Sequence, residues 1–193
     1  MRFGGVILAA GASRRMGRNK LLIEIDGEPL VRRAAQRALL AGLEPVVVVV
    51  GFEAAQVRSA LAGLSVSFAE NADFTGPPAS SLRVGLASLP PDTDGAVCLL
   101  ADMVRVTERM LAVLAVTARR SGTPMVASRY GDVVAPPYLF RRELFGDVLE
   151  AAALGSGKVL VDRLRDRLVF VDWPESCLAD LDTPEDLTAL SPP

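Results

Sequence analysis

Phe3-Gly4-Gly5-Val6-Ile7-Leu8-Ala9-Ala10 runs directly into Gly11-Ala12-Ser13-Arg14-Arg15-Met16-Gly17-Arg18-Asn19-Lys20. The first part is apolar without polar alternation, the pattern of a strand buried on both faces of a parallel sheet. The second part begins with small residues, which let a ligand approach the backbone closely. Its successive amides can form an anion nest. Arg14, Arg15, Arg18 and Lys20 then place four cations within seven residues. Such a loop suits a triphosphate, because amides and cations neutralise charge that grows on a leaving pyrophosphate. As composition alone, it reads equally well as a solvated basic connection.

The same alternation continues along the chain. Apolar runs predict strands at 21–25, 46–50 (five valines), 66–69, 96–101, 125–128 and 168–171. Helical spacing predicts helices at 30–40, with Pro29 in the first turn and Gly42 ending it, and at 53–61, 79–89, 107–120, 141–154, 159–164 and 184–190. Thr107 is a candidate N-cap. Residues 131–137, with two prolines, read as an irregular loop. Strands alternating with helices predict an α/β fold with a doubly wound, mostly parallel sheet flanked by helices.

The 193 residues suit one domain. Twenty-one basic against 23 acidic residues argue against a nucleic-acid partner bound through a broad basic face. Arg2 and the apolar run to Ala12 faintly resemble a signal peptide, but Gly4, Gly5, Gly11 and the arginines at 14 and 15 favour a buried strand. No apolar run approaches the ~20 residues of a membrane span, and a cytoplasmic protein is expected. Histidine is absent, which excludes a Ser-His-Asp triad, a histidine base and histidine metal ligands. Cys98 and Cys177 are too few for a disulfide framework or a structural zinc site. Only Lys20 and Lys158 are lysines among the basic residues, which draws attention to their positions.

Ligands of parallel sheets sit at the carboxyl ends of the strands. Asp102, after the apolar run 96–101, can hold Mg²⁺ with few protein ligands, or can be a turn aspartate. Asp180 and Asp182 share one face of an extended segment and, as like charges side by side, call for a cation or solvent. Thr183-Pro184-Glu185-Asp186 reads as a helix start. Ser13 replaces the second glycine of a dinucleotide-binding fingerprint, so that reading fails. Gly155-Ser156-Gly157-Lys158 is not a Walker loop either, since Ala152 and Val159 stand at required positions. It can still bind a phosphate at a helix start.

The run LAAGASRRMGRNKLL resembles the signature of MobA-like NTP transferases, especially the molybdopterin cytidylyltransferase branch. Further similar motifs follow in order: Glu70-Asn71 before a Gly-Pro loop, Ser80-Ser81-Leu82-Arg83-Val84-Gly85-Leu86, Leu100-Ala101-Asp102-Met103, Pro137-Tyr138-Leu139-Phe140 and 180–187. The resemblance implies a Rossmann-like nucleotidyltransferase fold, with a nucleotide-binding half at 1–102 and an acceptor-binding half at 103–193. It implies Mg²⁺-dependent transfer of a nucleotidyl group to a phosphate monoester. Carried over residue by residue, Leu8, Ala9, Ala10, Gly11, Ala12, Ser13 and Arg14 would wrap the nucleotide, with Arg15 and Lys20 at the phosphates. Asn71, Ser80 and Ser81 would contact the nucleotide, and Asp102 would hold Mg²⁺ with Asp180 and Asp182 nearby.

Within the family, Ala-Ala-Gly goes with cytidylyl transfer, so Ala9-Ala10-Gly11 implies CTP as substrate and molybdopterin or molybdenum cofactor as acceptor. A recipient molybdoenzyme is a further implied partner. Three departures fall on the acceptor side: Val104-Arg105 after Asp102-Met103, Ala135-Pro136-Pro137, and the shortened Gly155-Ser156-Gly157-Lys158. Lys158 and Arg105, both cationic, are candidates for contacting the acceptor. Two alternatives remain open: a sugar or alditol phosphate as acceptor, and a non-catalytic maturation partner of a molybdoenzyme.

Overall fold

In the computed structural model, which describes residues 1–13, 16–153, 161–179, 181 and 186, the opening apolar run is strand β1 (Phe3–Ala9). Successive side chains point to opposite faces, so Val6 and Ile7 are both fully buried but in different cores. A small hairpin follows, β2 (Glu24–Ile25) and β3 (Glu28–Pro29), and then α1 (Leu30–Leu40). Next come β4 (Val46–Val50), α2 (Ala54–Ala60), β5 (Ser67–Glu70) and α3 (Pro78–Ala87). After β6 (Gly95–Leu100) and α4 (Glu108–Ser121), β7 (Met125–Tyr130) and β8 (Val133–Arg141) are adjacent in sequence. The chain continues through α5 (Phe145–Ala153) to β9 (Leu168–Trp173).

The large sheet has seven strands in the order β5-β4-β1-β6-β8-β7-β9. β1 pairs parallel with β4 and β6, so the strand that opens the chain sits in the interior of the sheet. Residues of α1, α2 and α4 bury one face, and residues of α3 and α5 bury the other. Thr107 caps α4 by accepting a hydrogen bond from the Met110 amide at 3.3 Å, as expected. Gly85 lets α3 lie directly on β1 and β4: a Cβ there would stand 2.9 Å from Val49 Cγ2 and closer still to Val6 Cγ1. Among the described residues no helix is long and apolar enough to cross a membrane.

Three expectations fail. Residues 131–137 are not an irregular loop; most belong to β8, which runs antiparallel between β6 and β7. Proline lacks the N–H that a central ladder needs, which is what suggested a loop. Here the pairing with β6 stops at Cys98–Tyr138, and the register with β7 shifts between Ala127 and Arg129. Side chains satisfy the carbonyls instead: Ser128 Oγ donates to Pro137 O at 2.8 Å and Tyr130 OH to Pro136 O at 2.9 Å. Residues 21–25 are not one strand but the end of a 3₁₀ turn (Lys20–Leu22) followed by the hairpin strand. The predicted helix at 141–154 likewise begins with a strand residue and a 3₁₀ turn (Arg142–Leu144). The helix read at 184–190, apart from residue 186, and the Gly-Ser-Gly-Lys stretch lie outside the described residues.

Candidate active site

The loop after β1, the end of β6 and the segment leading into α3 surround a cleft of about 450 Å³. Leu8, Ala10 and Leu100 line it from the sheet, and Phe74, Gly76 and Pro77 from the segment before α3. Gly11, Ser13, Ser81, Lys20 and Asp102 supply its polar lining.

The first loop is stiffened locally. Ser13 takes a left-handed conformation (φ 48°), which a residue with a Cβ adopts only when its surroundings hold it there. Its carbonyl accepts from the Met16 amide at 2.9 Å, and its Oγ accepts from the Lys20 amide at 3.2 Å. Asn19 caps the turn at 20–22 through Oδ1, which accepts from the Leu21 amide at 3.1 Å. Met16 is buried in a cluster with Ile23, Leu30 and Leu181, so the loop is anchored by packing as well.

This anchoring brings Lys20 to Asp102, with Nζ 2.5 Å from Oδ2 and side chains 14% and 16% exposed. The other carboxylate oxygen, Oδ1, is buried and accepts no hydrogen bond. The backbone around Asp102 is stitched on two sides. Ala101 N donates to Leu8 O at 3.2 Å, extending the β1–β6 ladder. Leu181 N donates to Asp102 O and Val104 N to Ala179 O, each at 3.2 Å. The stretch carrying Leu181 therefore passes the end of β6.

Among the described residues no group of three or more Cys, Asp or Glu side chains is placed to hold a metal. Asp102 lines the cleft with a carboxylate of which one oxygen has no hydrogen-bond partner, and that still fits Mg²⁺, which takes one or two carboxylates and completes its shell with phosphate oxygens and waters.

Asn71 and Ser80 brace the cleft and do not line it. The Asn71 amide donates to Ser80 Oγ and Ser81 Oγ, each at 2.9 Å, and its Oδ1 accepts from the Asp73 amide at 3.0 Å. This network ties the end of β5 to the first turn of α3 and sets the position of Ser81. Ala9 is buried within β1, and Ala12 stands beside the lining. Arg14, Arg15, Lys158, Asp180 and Asp182 lie outside the described residues. Arg105 is exposed and donates to Ser176 O at 3.3 Å. Sequence reasoning did not single out Phe74 or Gly51. A Cβ on Gly51 would stand 2.5 Å from Phe74 Cβ and 2.9 Å from Ala10 Cβ, so both residues pack against a position that has room only for glycine. The only hint of this was a glycine immediately after the five-valine strand.

The MobA-like NTP transferase domain matches residues 5–168. The purine catabolism protein PucB of Bacillus subtilis is 30% identical over 192 residues, covering 89% of this chain and 92% of that one. A probable molybdenum cofactor guanylyltransferase of Natronomonas pharaonis is 34% identical over 111 residues, 57% of this chain and 54% of its own. Among solved structures, Rv0371c of Mycobacterium tuberculosis superposes with a TM-score of 0.81 at 30% identity, covering 98% of both chains. Rv0371c has also been solved in complex with manganese, and that structure superposes with a TM-score of 0.73. With its sheet, its cleft and a family match over most of its length, this chain belongs to the MobA-like NTP transferase family.

Proposed function

We propose that this protein transfers CMP from CTP to the terminal phosphate of molybdopterin or molybdenum cofactor, releasing pyrophosphate. The observation that carries the reading is the meeting of Lys20 and Asp102 at the mouth of a small-residue loop. One side chain suits phosphate oxygens and the other suits the cation that accompanies them.

In the reaction, an oxygen of the acceptor phosphate attacks the α-phosphorus in line. A new P–O bond forms as the bond to the β-phosphate oxygen breaks, and pyrophosphate leaves. The acceptor is already ionised at neutral pH, so no general base is required, which agrees with a chain that has no histidine. Catalysis then consists of positioning and charge neutralisation. Bound Mg²⁺ would withdraw charge from the phosphate oxygens. Asp102 would hold it, with Asp180 and Asp182 approaching from the stretch that carries Leu181. Lys20, with Arg15, would stabilise charge on the departing pyrophosphate. Ser81 and the Gly11–Ser13 backbone would orient the nucleotide, and Arg105 and Lys158 would meet the acceptor.

The choice of CTP rests on Ala9-Ala10-Gly11 and on the Ala10 methyl, which lines the cleft beside Phe74. The likeness to a guanylyltransferase makes GTP the competing donor. A pyrophosphate-release assay crossing CTP, GTP, ATP and UTP with molybdopterin and with several sugar or alditol phosphates tests the reading. Release with CTP and molybdopterin supports it. Release with a sugar phosphate alone points to the other acceptor class, and no release with any pair supports a binding role.

A further inference from the structure

Asp102 has a positioning problem that its own side chain does not solve. Its Oδ1 is without a partner and its Oδ2 is held by Lys20. On the functional reading above, Lys20 moves to the phosphates when nucleotide binds. The carboxylate then loses the one side-chain contact it makes among the described residues, and its direction must be set by the backbone turn that carries it.

That turn is held at Val104 from both sides. Val104 N donates to Ala179 O at 3.2 Å. Its carbonyl accepts from Arg37 Nη1 at 3.0 Å, a contact that reaches from the last turn of α1 across 67 residues of sequence. Met103 N and Val106 N close the turn on itself, bonding to Leu100 O and Met103 O. Arg37 is half-buried, and among the described residues it forms no ion pair. Burial, and then the neighbouring Arg33, hold its basicity below the ordinary arginine value, while Glu108 acts in the opposite direction. A guanidinium kept partly desolvated to bind a neutral carbonyl is an expensive way to join two elements. It is also a rigid one, because the planar fork is pre-organised.

We propose that Arg37 is a positioning residue for the metal-binding carboxylate: through the Val104 carbonyl it fixes the turn from which Asp102 projects once Lys20 has moved to the nucleotide. The proposal rests on the reading that Asp102 holds the cation. Groups that orient a metal ligand from behind typically change metal affinity by 10–100-fold when removed.

The test is Mn²⁺ binding, followed by electron paramagnetic resonance, in the presence of a CTP analogue with a methylene α,β-bridge. R37M should weaken Mn²⁺ binding roughly 10–100-fold while leaving metal-free analogue affinity unchanged. R37K, which keeps a cationic donor, should recover much of the loss. If R37M does not fold, R37Q, which retains a shorter donor, carries the same comparison. Mn²⁺ binding that is lost in D102N but intact in R37M or R37Q would overturn the positioning role alone. A wild-type protein that binds no Mn²⁺, or a D102N variant that binds it equally well, would overturn the metal site and the proposal together.

Discussion

Lys20 Nζ lies 2.5 Å from Asp102 Oδ2, joining the loop after the first strand to the end of the sixth. The two opposite charges neutralise each other across this contact. On the proposed reading, a magnesium-bound triphosphate would exchange both partners at once, giving phosphate oxygens to Lys20 and the cation to Asp102.

Lys20→Met should therefore lower turnover by roughly 10²–10³, the usual loss when one preorganised charge partner of a transition state is removed. Asp102→Asn should abolish metal-dependent turnover. Removing one member of a partly buried pair leaves the other uncompensated, so the double variant should melt at a higher temperature than the sum of the two single losses implies. Strict additivity of the melting shifts would show that the two side chains are not coupled.

Leu181, between the two aspartates at 180 and 182, donates its amide to the Asp102 carbonyl. On the proposed reading the flanking carboxylates share the cation's charge and can partly replace each other. D180N and D182N should each reduce turnover moderately, and the double variant by more than the product of the single effects, measured as the Mg²⁺ dependence of kcat. Single and double variants matching wild type would return these residues to helix capping.

Ala10 and Phe74 both line the cleft, and both pack close to Gly51. Ala10→Gly should widen that wall and shift the CTP-to-GTP ratio of kcat/KM toward GTP by roughly 10-fold, the scale of one methyl group in a pocket. An unchanged ratio, with both donors slowed equally, would place base selection elsewhere.

The sequence made the parallel half of the sheet readable because two-sided burial leaves an unmistakable pattern: 3–10, 46–50 and 96–101 are apolar throughout. The small-residue loop and Asp102 were legible for the same reason, since each directly follows such a run. β8 was not. Its tandem prolines break the local rule for a central strand, and what rescues them is tertiary: hydroxyl donors from Ser128 and Tyr130 on the neighbouring strand. Asn71 was legible as important, but its task was not. Its hydrogen bonds go to Ser80, Ser81 and Asp73, and only the fold shows that they shape the cleft from behind. Arg37 carries no local signal, because its partner lies 67 residues away.

Cys98 is buried in β6, and burial pushes its thiol up to about 12. Thiolate is the reactive form, so at pH 8 almost none is present in the native state. Iodoacetamide at that pH should label Cys177, which is only partly buried, well before Cys98, with mass spectrometry of tryptic peptides as the readout. Rapid native labelling of Cys98 would contradict the packing described for the centre of the sheet.

The most direct measurement of the central claim is the fate of label from [α-³²P]CTP incubated with Mg²⁺ and molybdopterin. The label should appear in a pterin product that resists phosphatase, with one pyrophosphate released per labelled product. Label from [α-³²P]GTP should enter a pterin adduct far more slowly. Label remaining in CTP, label released as CMP with no pterin product, or equal labelling from GTP would contradict that claim.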